Sequence, residues 1–135
     1  MMVVDTSALV SALAKDPAVP ALWDYLTGEE ELHVPHLLDY EFRNALRGMI
    51  LRKEIVPARA EGACLIKDGM PLIRHPEAVT GQRAWDLRDN FTICDASYVA
   101  LAEAIGCALL TSDGKIAREA KTVEVTYVPV TKEED

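Results

Sequence analysis

The feature that most constrains the fold is an alternation of short apolar runs with segments of helical periodicity. Residues 2–4, 32–34 and 107–110 have the composition of short buried strands. Between them lie longer segments in which apolar residues recur every three or four positions, as on one face of a helix. Strands that alternate with helices are typical of a parallel sheet covered by helices. The sequence therefore predicts an α/β fold.

Length and composition favour one domain. The chain has 135 residues, of which 50% are hydrophobic, enough for a single core. We expect this domain to span residues 1–130, followed by a polar tail over residues 131–135. No apolar run approaches the ~20 residues of a membrane span, and the first residues lack the pattern of a signal peptide. The three cysteines form no CxxC motif. They are interpreted as reduced, mostly buried thiols in a cytoplasmic protein.

Three aspartates are predicted to meet at one edge of the sheet. Asp5 follows the first apolar run, and Asp113 lies just past the run at residues 107–110. If these runs are neighbouring parallel strands, both end at the edge where α/β proteins bind ligands. Asp95 begins a helical pattern that leads into the second run, which places it near the same edge. Taken alone, Asp95 is best explained as the N-cap of that helix.

A fourth carboxylate can join them from the longest predicted helix, residues 36–54. At about 100° per residue, Glu41 falls at the border of the apolar stripe of this helix. A carboxylate beside the core is costly unless a metal or hydrogen-bond donors compensate it. Extension of the side chain into solvent is the alternative explanation.

Converging carboxylates repel one another and raise one another's pKa values, and a hard divalent cation removes that cost. Mg²⁺ and Mn²⁺ prefer oxygen ligands, whereas nitrogen and sulfur donors for zinc are few. Such a site can activate a bound water and neutralise a phosphodiester. Four neighbouring hydroxyls could orient carboxylates, with helix capping as the simpler role for each: Thr6, Ser7, Thr111 and Ser112.

The net charge of −8 argues against nucleic-acid binding by overall electrostatics. Bound cations can still supply positive charge locally. An acidic chain also suits a basic protein partner. Charge alone leaves both possibilities open.

Four segments, in this order, resemble the PIN-domain ribonucleases, in particular the VapC-type toxins of toxin–antitoxin pairs. They read VVDTSAL from residue 3, EFRNAL from residue 41, DASYVALAE from residue 95 and LTSD from residue 110. The resemblance covers nearly the whole chain. It implies a PIN-like three-layer α/β/α sandwich with a parallel sheet of about four or five strands.

The resemblance also implies a chemistry and partners. It implies endonucleolytic RNA cleavage by a water that Mg²⁺ or Mn²⁺ activates, with four metal-site acids: Asp5, Glu41, Asp95 and Asp113. Thr6 or Ser7 and Ser112 match supporting hydroxyls, and Asn44 matches a frequent polar neighbour. The family implies a homodimer. It further implies a VapB-type antitoxin whose basic C-terminal segment inhibits the toxin.

Two other classes of function are weighed against this one. An aspartyl-phosphate phosphatase using Asp5 would need a second aspartate where Ser7 stands, and a receiver domain would carry its phosphoacceptor after a middle strand. Neither pattern fits. A binding module, or a catalytically weak PIN-fold protein, would use the acids as helix caps. The sequence leaves this last alternative open beside the toxin.

Overall fold

The computed structural model describes residues 1–15, 19–28 and 31–130, so the predicted tail at residues 131–135 lies outside the described part. Its centre is a sheet of five parallel strands in the order β3-β2-β1-β4-β5. The strands are β1 (Met2–Val4), β2 (Leu32–Pro35), β3 (Ile73–His75), β4 (Ala108–Thr111) and β5 (Val125–Tyr127). The predicted parallel sheet of four or five strands is therefore confirmed.

Seven helices connect the strands in the described ranges. They are α1 (Thr6–Leu13), α2 (Pro20–Leu26), α3 (Leu37–Leu51), α4 (Pro57–Gly69), α5 (Glu77–Asp86), α6 (Ile93–Ile105) and α7 (Gly114–Glu119). Since crossovers between parallel strands are right-handed, the reversal of strand order after β3 places α1 to α4 on one face and α5 to α7 on the other. The result is the three-layer α/β/α sandwich that the resemblance implied.

The two central strands form the middle of the core. Val3 and Val4 of β1 are fully buried, as are Leu109 and Leu110 of β4. Strands covered on both faces need continuous apolar sequence, which explains why these runs stand out. Val4 pairs with Leu110, and the Asp5 N–H donates to the Leu110 carbonyl at 3.1 Å. Both strands therefore end together, as predicted.

One strand is not evident from the sequence, and one expectation is wrong. Residues 70–74 have the pattern of an extended or irregular segment, and Ile73–His75 forms β3 at the edge of the sheet. Ile73 and Arg74 are exposed, so the strand carries no buried apolar run that would identify it. The thiols were expected to be mostly buried, yet Cys94 is exposed and Cys64 and Cys107 are half-buried; none of the three forms a disulfide. Across the described ranges, no helix has the length and apolarity to cross a membrane.

Candidate active site

A cavity of about 450 Å³ opens where β1 and β4 end, and the four predicted acids all line it. Each comes from a different element: Asp5 follows β1, Glu41 lies on α3, Asp95 lies on α6 and Asp113 follows β4. None of the four forms a salt bridge with another side chain in the described ranges. The structure thus brings together the carboxylates that topology predicted to converge.

Asp5 is the most buried of these acids, with 2% of its surface exposed. Its Oδ1 accepts hydrogen bonds from the Ala8 N–H at 2.9 Å and the Ser7 hydroxyl at 2.8 Å, so Asp5 is the N-cap of α1. Its Oδ2 accepts from the Thr111 hydroxyl at 2.5 Å. Burial nevertheless raises the pKa of Asp5 from 3.8 to about 6, and the charge of Asp113 contributes. A nearby cation would stabilise the ionised form.

Asp113 is held in the same manner. Its Oδ1 accepts from the Lys115 N–H at 2.8 Å and the Ile116 N–H at 3.4 Å, so it caps α7. The Thr111 hydroxyl, which donates to Asp5, also accepts from the Asp113 N–H at 2.9 Å. Thr111 thereby fixes the two aspartates relative to each other.

Asp95 is not the N-cap of α6, which corrects the simplest interpretation from sequence. Thr92 caps the helix, and its hydroxyl accepts from the Asp95 N–H at 3.2 Å. The helix begins two residues before Asp95, so this carboxylate lies in the first turn and is free of the capping role. Burial raises the pKa of Asp95, and the negative charges of Asp113 and Glu41 raise it further. The mutual repulsion expected of clustered carboxylates is therefore present.

Glu41 is held by two hydroxyls. Its Oε1 accepts from the Tyr98 hydroxyl at 2.6 Å and the Thr6 hydroxyl at 2.9 Å, and these hydroxyls are 2.6 Å apart. Tyr98 is 1% exposed, and burial together with Glu41 raises its pKa, so its phenol stays protonated and donates. In the sequence, Tyr98 recurs with Leu101, Ala102 and Ile105 at helical spacing, which indicates only an apolar stripe. The missed signal is its position one turn after Asp95 on the same helix.

The predicted supporting residues have different positions and contacts in the structure. Ser7 donates to Asp5 and accepts from the Ser112 N–H at 3.0 Å, which joins the start of α1 to the loop after β4. The Ser112 hydroxyl is buried and has no hydrogen-bond partner in the described ranges. Asn44 does not line this cavity and is exposed. Ala45 occupies the helix face of Glu41 one turn on, and Asn44 is turned roughly 60° to the side.

The donor set fits a hydrated hard cation. The carboxylates supply only oxygen, which Mg²⁺ and Mn²⁺ prefer, and Ser112, whose buried hydroxyl has no partner in the described ranges, lines the same cavity. Among the described residues, no group of three or more His, Cys, Asp or Glu side chains is set closely enough to hold a metal ion. Mg²⁺ usually keeps several waters, so carboxylates that surround a cavity suit it better than a closed cage.

A family model for the PIN domain matches residues 2–121. The chain is 37% identical over 130 residues to the VapC ribonuclease Mb0985 of Mycobacterium bovis, which covers 96% of this chain and 99% of that protein. It is 40% identical over 119 residues to ribonuclease VapC1 of Mycobacterium tuberculosis, covering 85% of this chain and 87% of the relative. The chain therefore belongs to the PIN-domain family and, within it, to the VapC ribonucleases.

Solved structures share the fold. The crystal structure of PAE2754 from Pyrobaculum aerophilum has a TM-score of 0.66 and 27% identity, and the match covers 92% of this chain and 82% of that one. The structure of VapBC2 from Rickettsia felis, bound to a fragment of promoter DNA, has the same TM-score at 12% identity, over 93% of this chain and 97% of that one. At this low identity the second match supports the architecture alone.

Proposed function

We propose that this protein is the toxin of a toxin–antitoxin pair and hydrolyses RNA phosphodiester bonds with Mg²⁺ or Mn²⁺ bound among Asp5, Glu41, Asp95 and Asp113. The observation that carries the proposal is the cavity in which these four carboxylates meet without a salt-bridge partner among the described side chains. The ribonuclease names of relatives at 37–40% identity support RNA as the substrate.

In the proposed site the cation would activate a water for attack and neutralise charge on the phosphodiester. The protein residues would fix the carboxylates that bind it. Thr111 and Ser7 hold Asp5, while Thr6 and Tyr98 hold Glu41 through one oxygen and leave its other oxygen for the cavity. Such hydrogen bonds hold a metal-binding carboxylate in its binding orientation, so the side chain does not have to reorganise when the cation binds.

We further propose an antitoxin partner of the VapB type and a homodimeric toxin. Structural neighbours include complexes named VapBC2 and FitAcB, in line with a protein partner, although these likenesses by themselves establish only the fold. Uncompensated carboxylates would favour a basic side chain from the antitoxin over an acidic one, because its charge offsets their repulsion. A basic C-terminal segment of the antitoxin would therefore inhibit by replacing the cation.

The proposal is tested by incubating the purified protein with total bacterial RNA and sequencing the product ends. We expect cleavage with Mg²⁺ or Mn²⁺ and none in EDTA. Asp95→Asn should abolish cleavage, because it removes a charge from the cavity without changing side-chain size. Asp89→Asn is the matched control, since Asp89 is exposed and does not line the cavity.

Two results would contradict the proposal. Cleavage that persists in EDTA would exclude the cation, and an Asp95→Asn protein as active as Asp89→Asn would remove Asp95 from the site. Binding of an antitoxin by a folded protein that cuts no RNA under any metal condition would instead support the binding-module reading.

A further inference from the structure

A second cavity, of about 420 Å³, adjoins the acidic one along α3. The two cavities share Val10, Lys15 and Ala45 in their linings, so they lie side by side. We call the second one the α3 groove. None of the four acids lines it; its polar lining includes Asn44, Arg47 and Arg52.

The helix sequence creates this groove. Glu41, Ala45, Gly48 and Arg52 follow one another at spacings of four, three and four, so they lie on one face of α3. The two small residues in the middle leave space between Glu41 and Arg52, which are about 16 Å apart along the helix axis. A Cβ on Gly48 would lie 2.9 Å from Nη1 of Arg52. The guanidinium therefore lies back over Gly48, toward the acidic cavity.

The charge of the groove is opposite to that of the cavity beside it. Three of its lining residues are basic and one, Glu54, is acidic. Arg52 is neutralised by Glu54, with Nε 2.9 Å from Oε1. Lys15 and Arg47 have no salt-bridge partner within 4 Å in the described ranges. Arg47 and Asn44 are exposed, so cationic and amide donors face solvent next to the acids.

We propose that the α3 groove binds the phosphate backbone of the RNA strand whose scissile bond lies in the acidic cavity, with Arg47, Lys15 and Asn44 as positioning residues. The inference rests on the proposed ribonuclease function. A protein with a net charge of −8 repels RNA overall, so the strand needs local positive charge, and beyond the proposed cation site basic side chains must supply it. The groove offers that charge directly beside the proposed site of cleavage.

The groove also explains the position of Asn44. Its side chain turns away from the acids and into the lining of the groove. There an amide can donate to a phosphate oxygen or to a 2′-hydroxyl, contacts by which proteins position a nucleic-acid strand. Asn44 would then act on the substrate and leave the metal ligands unaffected.

The test measures binding and cleavage separately. Binding of a labelled single-stranded oligoribonucleotide is followed by fluorescence anisotropy in EDTA, where no cleavage occurs, from 50 mM to 1 M salt. Arg47→Gln and Asn44→Ala are compared with Arg43→Gln. Arg43 lies one turn earlier on α3, pairs with Asp68 at 2.8 Å and does not line the groove, so it is a matched control of equal charge.

For Arg47→Gln we expect the slope of log affinity against log salt to become shallower by about 0.7, the value for one phosphate contact on a single strand. This corresponds to about five-fold weaker binding at 0.1 M salt and to no difference at 1 M. KM for cleavage should rise by a similar factor, with kcat unchanged. Arg43→Gln should match the parent in all three measurements.

Equal slopes for Arg47→Gln and the parent would overturn the inference, as would an equal loss in Arg43→Gln or a parent that does not bind the oligonucleotide at 50 mM salt. If Arg47→Gln loses affinity for the antitoxin but retains RNA binding, the groove belongs to the protein partner and the inference is wrong. A parent that binds RNA with the expected slopes but cuts none would overturn the proposed function and leave the groove standing.

Discussion

Two acidic regions of this protein place an aspartate in opposite electrostatic environments. In the acidic cavity, Asp5 is buried with only hydroxyl and amide donors, and its pKa is raised to about 6. In what we call the ion-pair cluster, between α3, α4 and β3, Asp39 accepts from Arg74 at 2.7 Å and from Lys67 at 2.7 Å. The hydrogen bond from Arg74 and the charge of Lys67 lower the pKa of Asp39 to about 2.

The cluster shows what compensated carboxylates look like in this fold. Lys67 is 1% exposed and contacts both Asp39 and Asp68 at 2.7 Å, while Arg43 contacts Asp68 at 2.8 Å. Each charge has a partner, so the cluster joins its helices and strand without need of a ligand. The acidic cavity has the same carboxylates, but none of its four acids forms a salt bridge in the described ranges, although Lys15 also lines it. The difference shows that a carboxylate with a cationic side-chain partner has a structural role, whereas a carboxylate without such a partner is a candidate functional residue.

The largest expected effect comes from Asp5→Asn. Cleavage should fall by more than the 10- to 100-fold typical of changes in residues that merely support a metal ligand. The free energy of unfolding in EDTA at pH 8 should rise by up to about 3 kcal/mol, because about two pKa units of unfavourable ionisation are removed at 1.36 kcal/mol each. The Asp5→Asn protein should therefore be more stable in urea unfolding and less active in RNA cleavage than the parent. This combination distinguishes the acidic cavity from the ion-pair cluster. A destabilised Asp5→Asn protein would contradict the comparison.

A smaller effect is expected from Tyr98→Phe, which removes a donor to Glu41. Activity at limiting Mg²⁺ should fall about 10- to 100-fold, and the Mg²⁺ concentration for half-maximal cleavage should rise, because Glu41 is oriented less well. Tyr40→Phe is the control, since Tyr40 neighbours Glu41 in sequence but is 85% exposed. A variant restored to parental activity at high Mg²⁺ supports the positioning role; one that stays low at every Mg²⁺ concentration contradicts it.

The smallest effect is the pH dependence of stability in EDTA, which has opposite signs in the two regions. The folded pKa of Asp5 is above 3.8, so its contribution to the free energy of unfolding falls as pH rises from about 4 to 6. The folded pKa of Asp39 is below 3.8, so its contribution is present above that pH and is lost as pH falls toward 2. Because Asp39 is partly exposed, we expect only about 1–2 kcal/mol from it.

Urea unfolding between pH 2 and 8 measures both contributions. Asp5→Asn should flatten the upper slope alone, and Asp39→Asn the lower slope alone. Asp24→Asn, at an exposed position of α2, should change neither. Matching profiles for Asp5→Asn and Asp39→Asn would mean that the two regions do not differ in the way described.

Much of the site was accessible from the sequence because it depends on strand order. Apolar runs that end at Asp5 and just before Asp113 can meet only if their strands are neighbours, and β1 and β4 are. Helix caps were less accessible. Asp5, not the adjacent hydroxyls, caps α1, and Thr92 caps α6 in place of Asp95, because the backbone at a helix start selects among several suitable side chains in the same turn.

The sequence by itself determined the strands that carry buried apolar runs, the helical segments and the four acids, since apolar periodicity and the position of an acid after a strand are local properties. The tertiary structure alone decided which charges have partners. Lys67 lies 28 residues from Asp39 and Tyr98 lies 57 from Glu41 along the chain, so their contacts arise only when helices from distant segments pack together. Local sequence contains no record of these distances, and they determine which carboxylates are structural and which remain available for a cation.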